Sequence, residues 1–189
     1  MVFHNAELAR LTGQSGPLAQ RSAAELGRIK LSGSSDTIPT LRQLLDQLQG
    51  QVPVLIEIKS AGGSLGKVAA LCLAVRRVLE GYQGPHAIMS FDPRMVRWFA
   101  LHAPQTVRGL VVTEENAKAL PGMIRRRLSL WHAKPDFLAY DIRDLPSRFA
   151  AAQRSRGLPV LTWTVRSAEH QERAAKYADA PIAEGAGIE

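Results

Sequence analysis

Short apolar runs rich in β-branched residues alternate along this chain with longer segments whose apolar residues recur at helical spacing, and that alternation most constrains its fold. Val52 to Ile58 is such a run, bounded by Gly50 and by the Ala61-Gly62-Gly63 turn and apolar on both faces, the pattern of a strand buried in a parallel sheet. Before it, Thr40-Leu41-Arg42-Gln43 has capping-box spacing and Leu41, Leu44, Leu45 and Leu48 share one face, which predicts a helix over roughly 40–49. After it, Leu65, Val68, Cys72, Val75 and Leu79 predict a long helix that stops before Gly81.

The pairing then repeats. Ala87 to Ser90 reads as strand, Asp92 as the cap of a helix with Pro93 at its first position, and Gly109 to Val112 as the next strand. Residues 115–131 read as a helix broken at Pro121-Gly122, followed by strand at Phe137 to Tyr140, helix near 146–156, strand at 160–164, helix near 167–178 and a last short strand at 181–183. Toward the N-terminus, Met1-Val2-Phe3 reads as the tail of a strand giving way to a loop at His4-Asn5, and Ser22-Ala23-Ala24-Glu25 repeats the capping-box spacing. Strand-helix alternation of this length implies a parallel sheet with helical cover, either doubly wound or a barrel, and the pattern does not choose between them. No Gly-x-Gly-x-x-Gly turn follows any strand, which weakens dinucleotide binding, and no linker divides the chain, so one domain over 1–189 is expected.

Twenty-four basic against 17 acidic residues make the surface positive, which favours phosphate-bearing ligands or nucleic acid by long-range steering. The basic residues are scattered along amphipathic segments, apart from Arg125-Arg126-Arg127, and are read as solvated helix faces; no nucleic-acid partner is expected. Cys72, the single cysteine, lies in an apolar helical stretch and is read as packing. With no leader pattern and no run of the ~18 apolar residues that a span needs, a cytoplasmic protein without a membrane span is expected.

In either architecture, chemistry collects at the C-terminal ends of strands, and His4, Glu57, Lys59, Ser90, Phe91 and Trp163 fall at or near such ends. His4 can exchange a proton near neutral pH. Glu57 closes an apolar strand, where a carboxylate needs a cation or hydrogen bonds, and Lys59 two residues on shares its side. That pair reads either as a plain ion pair at the mouth of the sheet or as a hard oxygen ligand beside a phosphate-binding charge. Ser90-Phe91-Asp92-Pro93 reads most simply as a strand end plus a helix cap, and Trp163 as packing or a ligand-facing wall.

Taken in order, Phe3-His4-Asn5 with Leu8-Ala9-Arg10-Leu11-Thr12, Ile38-Pro39-Thr40-Leu41, Glu57-Ile58-Lys59, Ser90-Phe91-Asp92-Pro93 and Trp163-Thr164-Val165 resemble the successive signatures of the glycerophosphodiester phosphodiesterase family. The resemblance implies a (β/α)8 TIM-type barrel, here N-terminally incomplete, and hydrolysis of a small-molecule glycerophosphodiester to sn-glycerol 3-phosphate and an alcohol, a reaction of lipid and glycerol metabolism. It implies His4 as catalytic acid or base, Glu57 as ligand of a divalent cation (Mg²⁺ or Ca²⁺), Lys59 as phosphate stabiliser, and Phe91 and Trp163 as walls for the glycerol side.

The departures carry expectations too. The family's His-Arg-Gly and Glu-x-Asp strands have no counterpart in these residues, so Met1 could be internal to a longer reading frame. Asn5 stands where the family usually has Asp, and Arg166 where many members have Asn. With the cooperating set incomplete, little or no hydrolysis is expected, and a non-catalytic barrel binding a phosphorylated ligand or a protein is the alternative. Sheet edges left open by missing strands favour a homo-oligomer.

Overall fold

The computed structural model describes residues 1–59, 62–115 and 117–185. Two compact units are distinguished, one of Met1–Pro53 with Leu73–Pro85, the other of Val54–Cys72 with His86–Glu189.

The first unit opens with two one-turn helices, α1 (Ala9–Thr12) and α2 (Ala23–Leu26), and continues into α3 (Leu41–Leu48). Both expected capping boxes form: Glu25 N donates to Ser22 Oγ while Ser22 N donates back to Glu25 Oε2, and Thr40 and Gln43 do the same. Leu8, Leu26, Ile29 and Ile38 make a small core with Phe3, Leu18 and Leu31 against it.

The second unit carries a six-stranded parallel sheet in the order β1 to β6. In chain order its elements are β1 (Val54–Glu57), α4 (Leu65–Leu79), β2 (His86–Ser90), α5 (Pro93–His102), β3 (Val107–Val112), α6 (Leu120–Ala133), β4 (Phe137–Asp141), α7 (Arg148–Arg154), β5 (Val160–Val165), α8 (Ala168–Tyr177) and β6 (Ala180–Ala183), with part of α4 and its exit counted in the first unit. Each strand pairs with the next in sequence and the order never reverses, whereas a doubly wound sheet reverses at a switch point.

The side-chain period of two then separates the faces. Leu110, Leu138, Tyr140 and Val160 pack with Val96 of α5, Ala133 of α6, Ala150 of α7 and Ala174 of α8. On the other face Val111, Phe137 and Ala139 gather Leu55, Ala87, Met89, Leu161, Trp163 and Ile182, strand residues throughout. Helices on one face and strand side chains filling the other make a curled, barrel-type sheet. The described strands form an open arc, with β1 and β6 paired on one side only, rather than a closed ring of eight.

Two expectations are corrected. Met1 to Phe3 are not in a strand: Val2 N donates to Pro39 O, and no ladder forms there, so His4 does not sit at a strand end. Pro121-Gly122 is not a break in a helix from 115 but the first turn of α6, where proline's missing N–H costs no helical bond.

Candidate active site at the strand ends

The C-terminal ends of β1, β2, β4 and β5 bring several of the expected residues together. Lys59 Nζ lies 2.8 Å from Glu57 Oε1, and both side chains remain partly exposed. A solvated pair of this kind contributes only about 0–1 kcal/mol, so Lys59 can exchange it for a phosphate oxygen at little cost. Ser90 is buried; its hydroxyl donates to Ile58 O at 2.7 Å and accepts from Asp92 N at 3.1 Å, which ties the end of β2 to the exit of β1. Asp92 caps α5 and holds Arg94, whose Nη1 reaches Gly63 O at 3.2 Å. Ser90 and Asp92 therefore act as the strand end and cap read from the sequence.

Phe91 and Trp163 meet edge to face, their ring centroids 5.5 Å apart. Trp163 is fixed from below by its indole N–H, which donates to Ala139 O at 2.8 Å. The half-exposed Phe91 ring and the held indole form an apolar wall, with Glu57 one strand over, in register with Met89.

Asp141, in register with Trp163 at the end of β4, was not singled out from the sequence. Its buried carboxylate is gripped by Arg143 through Nε and Nη2, the latter at 2.6 Å, and by the Arg143 backbone N–H. The same desolvation argument that marked Glu57 would have found it, since Phe137-Leu138-Ala139-Tyr140 is an apolar run ending in a carboxylate. Hydrogen bonds and charge from Asp141, with Glu115 behind, raise the pKa of Arg143 further above its ordinary value. Arg143 is thus committed where Lys59 is exchangeable. Glu115, Lys118, Arg143 and Asp144 line a cleft of about 290 Å³ beside it.

Behind these loops lies a buried polar network. Glu114 Oε1 accepts from Tyr140 OH at 2.5 Å and from Ser147 Oγ at 2.6 Å, while Arg126 Nη2 stands 3.5 Å from Oε2. Burial pushes the Glu114 carboxyl up, but the Ser147 and Tyr140 hydrogen bonds and the Arg126 charge outweigh it and hold it below the usual range. Burial above all, then the Glu114 hydrogen bond, drives the Tyr140 hydroxyl well above its ordinary value, so it stays a neutral donor. Cys72 is buried and its thiol pushed up to about 12, which removes it as a nucleophile.

His4 belongs to the first compact unit. Its Nδ1 lies 2.9 Å from Asn5 Oδ1, the same oxygen that accepts from Arg10 Nε at 2.9 Å and Nη2 at 2.7 Å. Arg10 Nη2 also stands 3.2 Å from His4 Nδ1, so guanidinium, amide oxygen and imidazole form one cluster in which the tautomer sets whether Nδ1 donates to Asn5 or accepts from Arg10. Asn5 Oδ1 lies within hydrogen-bond reach of the imidazole without the charge an Asp would carry. Arg10 lies within the Leu8-to-Thr12 motif, whose spacing does not mark its bonds to Asn5.

For a divalent cation, the fit of these residues is partial. Among the described residues no three His, Cys, Asp or Glu side chains are grouped as a metal site, and Asp141 is occupied by Arg143. Glu57, with one oxygen on Lys59, offers a hard ligand that Mg²⁺ could share with water and a phosphate.

A family model, the glycerophosphoryl diester phosphodiesterase family, matches residues 1–183. The chain belongs to that family. Similar solved structures include a chain from Silicibacter pomeroyi DSS-3 assigned to the glycerophosphoryl diester phosphodiesterases, 21% identical with TM-score 0.80, covering 98% of this chain and 75% of that one. A phosphodiesterase from Oleispira antarctica in complex with the product sn-glycerol-3-phosphate is 20% identical with TM-score 0.75, covering 96% and 74%. A glycerophosphodiester phosphodiesterase from Parabacteroides distasonis is 16% identical with TM-score 0.76, covering 96% and 72%. At these identities the structures support the fold, and the family model carries the membership. No curated protein matches the chain. Among the described residues no helix is long and apolar enough to cross a membrane.

Proposed function

We propose that the strand ends of β1, β2 and β5 form the phosphodiester site of a glycerophosphodiester phosphodiesterase-type domain spanning the chain. The observation that carries the reading is the exchangeable Lys59 ammonium on Glu57 together with the Phe91 and Trp163 wall at neighbouring strand ends. Lys59 neutralises a phosphate oxygen, and the aromatic rings shelter the carbon skeleton of the glycerol. Glu57 holds a divalent cation, Mg²⁺ or Ca²⁺, that when bound neutralises charge on the phosphoryl oxygens. His4, whose ring is held by Asn5 and Arg10, acts as the proton donor or acceptor.

The family comparison supports a glycerophosphodiester as substrate, and the buried lone cysteine suits a reducing, cytoplasmic setting. Among the described residues of the site, Glu57 shares one oxygen with Lys59 and Asp141 is taken by Arg143, so ligand binding is expected to outlast turnover in this chain. The chain assayed with glycerophosphocholine and added Mg²⁺ or Ca²⁺ is expected to stay near background, with His4→Ala making no difference. Robust turnover abolished by His4→Ala would overturn that expectation and make the site fully catalytic.

A further inference from the structure

Helix α6 has an inverted outer face. Its inward side is given by Arg126 and Ala133, both buried, with Leu130 packed against the core. Leu120, Ile124, Leu128 and Trp131, at helical spacing on the opposite side, are 66%, 49%, 59% and 75% exposed. A solvent-facing helix stripe is ordinarily polar, and these four large side chains follow one another along the full length of the helix instead. Exposed Arg125 and Arg127 flank the stripe on its two edges, and the sequence Leu120 to Ala133 contains no Asp or Glu.

An apolar stripe with a tryptophan, rimmed by arginines and free of acid, has the composition of a helix that lies in a bilayer interface. Charge complementarity selects the occupant. A second copy of the chain docking face to face by a two-fold axis would set Arg125 and Arg127 against their own copies, whereas anionic headgroups would neutralise them. We propose that the α6 face is a peripheral docking surface for an anionic lipid bilayer. Leu120, Ile124, Leu128 and Trp131 enter the interface, and Arg125 and Arg127 contact lipid phosphates. The surface is separate from the strand-end site, and its test reads neither turnover nor ligand binding there.

The 189-residue chain is sedimented with vesicles of phosphatidylcholine alone or with about one-third phosphatidylglycerol. Binding is expected to the anionic vesicles and to fall at least about tenfold in Trp131→Ser, whose side chain leaves no core contact behind. Arg125→Glu with Arg127→Glu is expected to lower binding and to flatten its decline as salt rises from about 0.1 to about 0.5 M, with native circular dichroism retained. Should Trp131→Ser fail to fold, the double arginine variant carries the test. No binding to anionic vesicles, or binding indifferent to both variants, overturns the proposal. So does self-association that Trp131→Ser abolishes while vesicles are ignored, which would make a second copy the occupant.

Discussion

Glu114 is the residue on which the loops after β3 and β4 converge. One carboxylate oxygen serves Tyr140 and Ser147 and the other faces Arg126, a buried guanidinium that also donates to Ala117 O at 2.7 Å. Glu114→Gln leaves Arg126 charged, buried and without its counter-ion, a loss expected to cost about 2–4 kcal/mol and to lower Tm by roughly 5–15 °C. The pH dependence follows from the direction of the shift. The folded carboxyl is held below its unfolded value, so its contribution is complete above the ordinary glutamate range and is lost as pH falls through it. Thermal melts between about pH 6 and pH 3 should therefore decline less steeply in Glu114→Gln than in the parent. Parallel declines would remove Glu114 from the account of acid sensitivity. The same scale explains why Lys59 and Arg143, both strand-end cations, differ: one has a single solvated partner, the other a bidentate buried carboxylate.

At the scale of elements, local chemistry was readable and nonlocal pairing was not. The capping boxes at Ser22 and Thr40 and the Asp92 cap of α5 depend on residues within one turn, and each formed as expected. Pro121 reads alike as a helix break or as a first turn because a proline's meaning depends on where the helix begins, and Met1 to Phe3 reads as strand although a strand needs a neighbour that three residues cannot announce. Among the residues proposed for the site, Glu57, Lys59, Phe91 and Trp163 are picked out by position at the end of a run. The bond of Arg10 to Asn5 crosses a loop, with no periodicity to betray it. Gly109 tests the sheet at this scale. It is in register with Phe137, and an added Cβ would lie 2.2 Å from that ring. Gly109→Ala should lower stability by about 1–3 kcal/mol in urea titrations, and adding Phe137→Leu should recover part of the loss. A double variant no more stable than the sum of the singles would deny that the ring is the obstacle.

For the whole molecule, the sequential strand order and one-sided helical cover bring the C-terminal strand ends, which carry the residues proposed for the site, to one end of the sheet. The edges β1 and β6 each lack a partner on one side among the described residues, and we propose that they drive self-association. Sedimentation velocity should show mass rising with protein concentration; a monomer at every concentration would contradict this. The most direct test of the phosphate site is calorimetric titration of sn-glycerol 3-phosphate into the 189-residue chain with Mg²⁺ present. Binding is predicted, weakened about tenfold or more by Lys59→Met, equivalent to ~1.4 kcal/mol, and weakened by Glu57→Gln only when Mg²⁺ is there. Undiminished affinity in Lys59→Met would contradict the account.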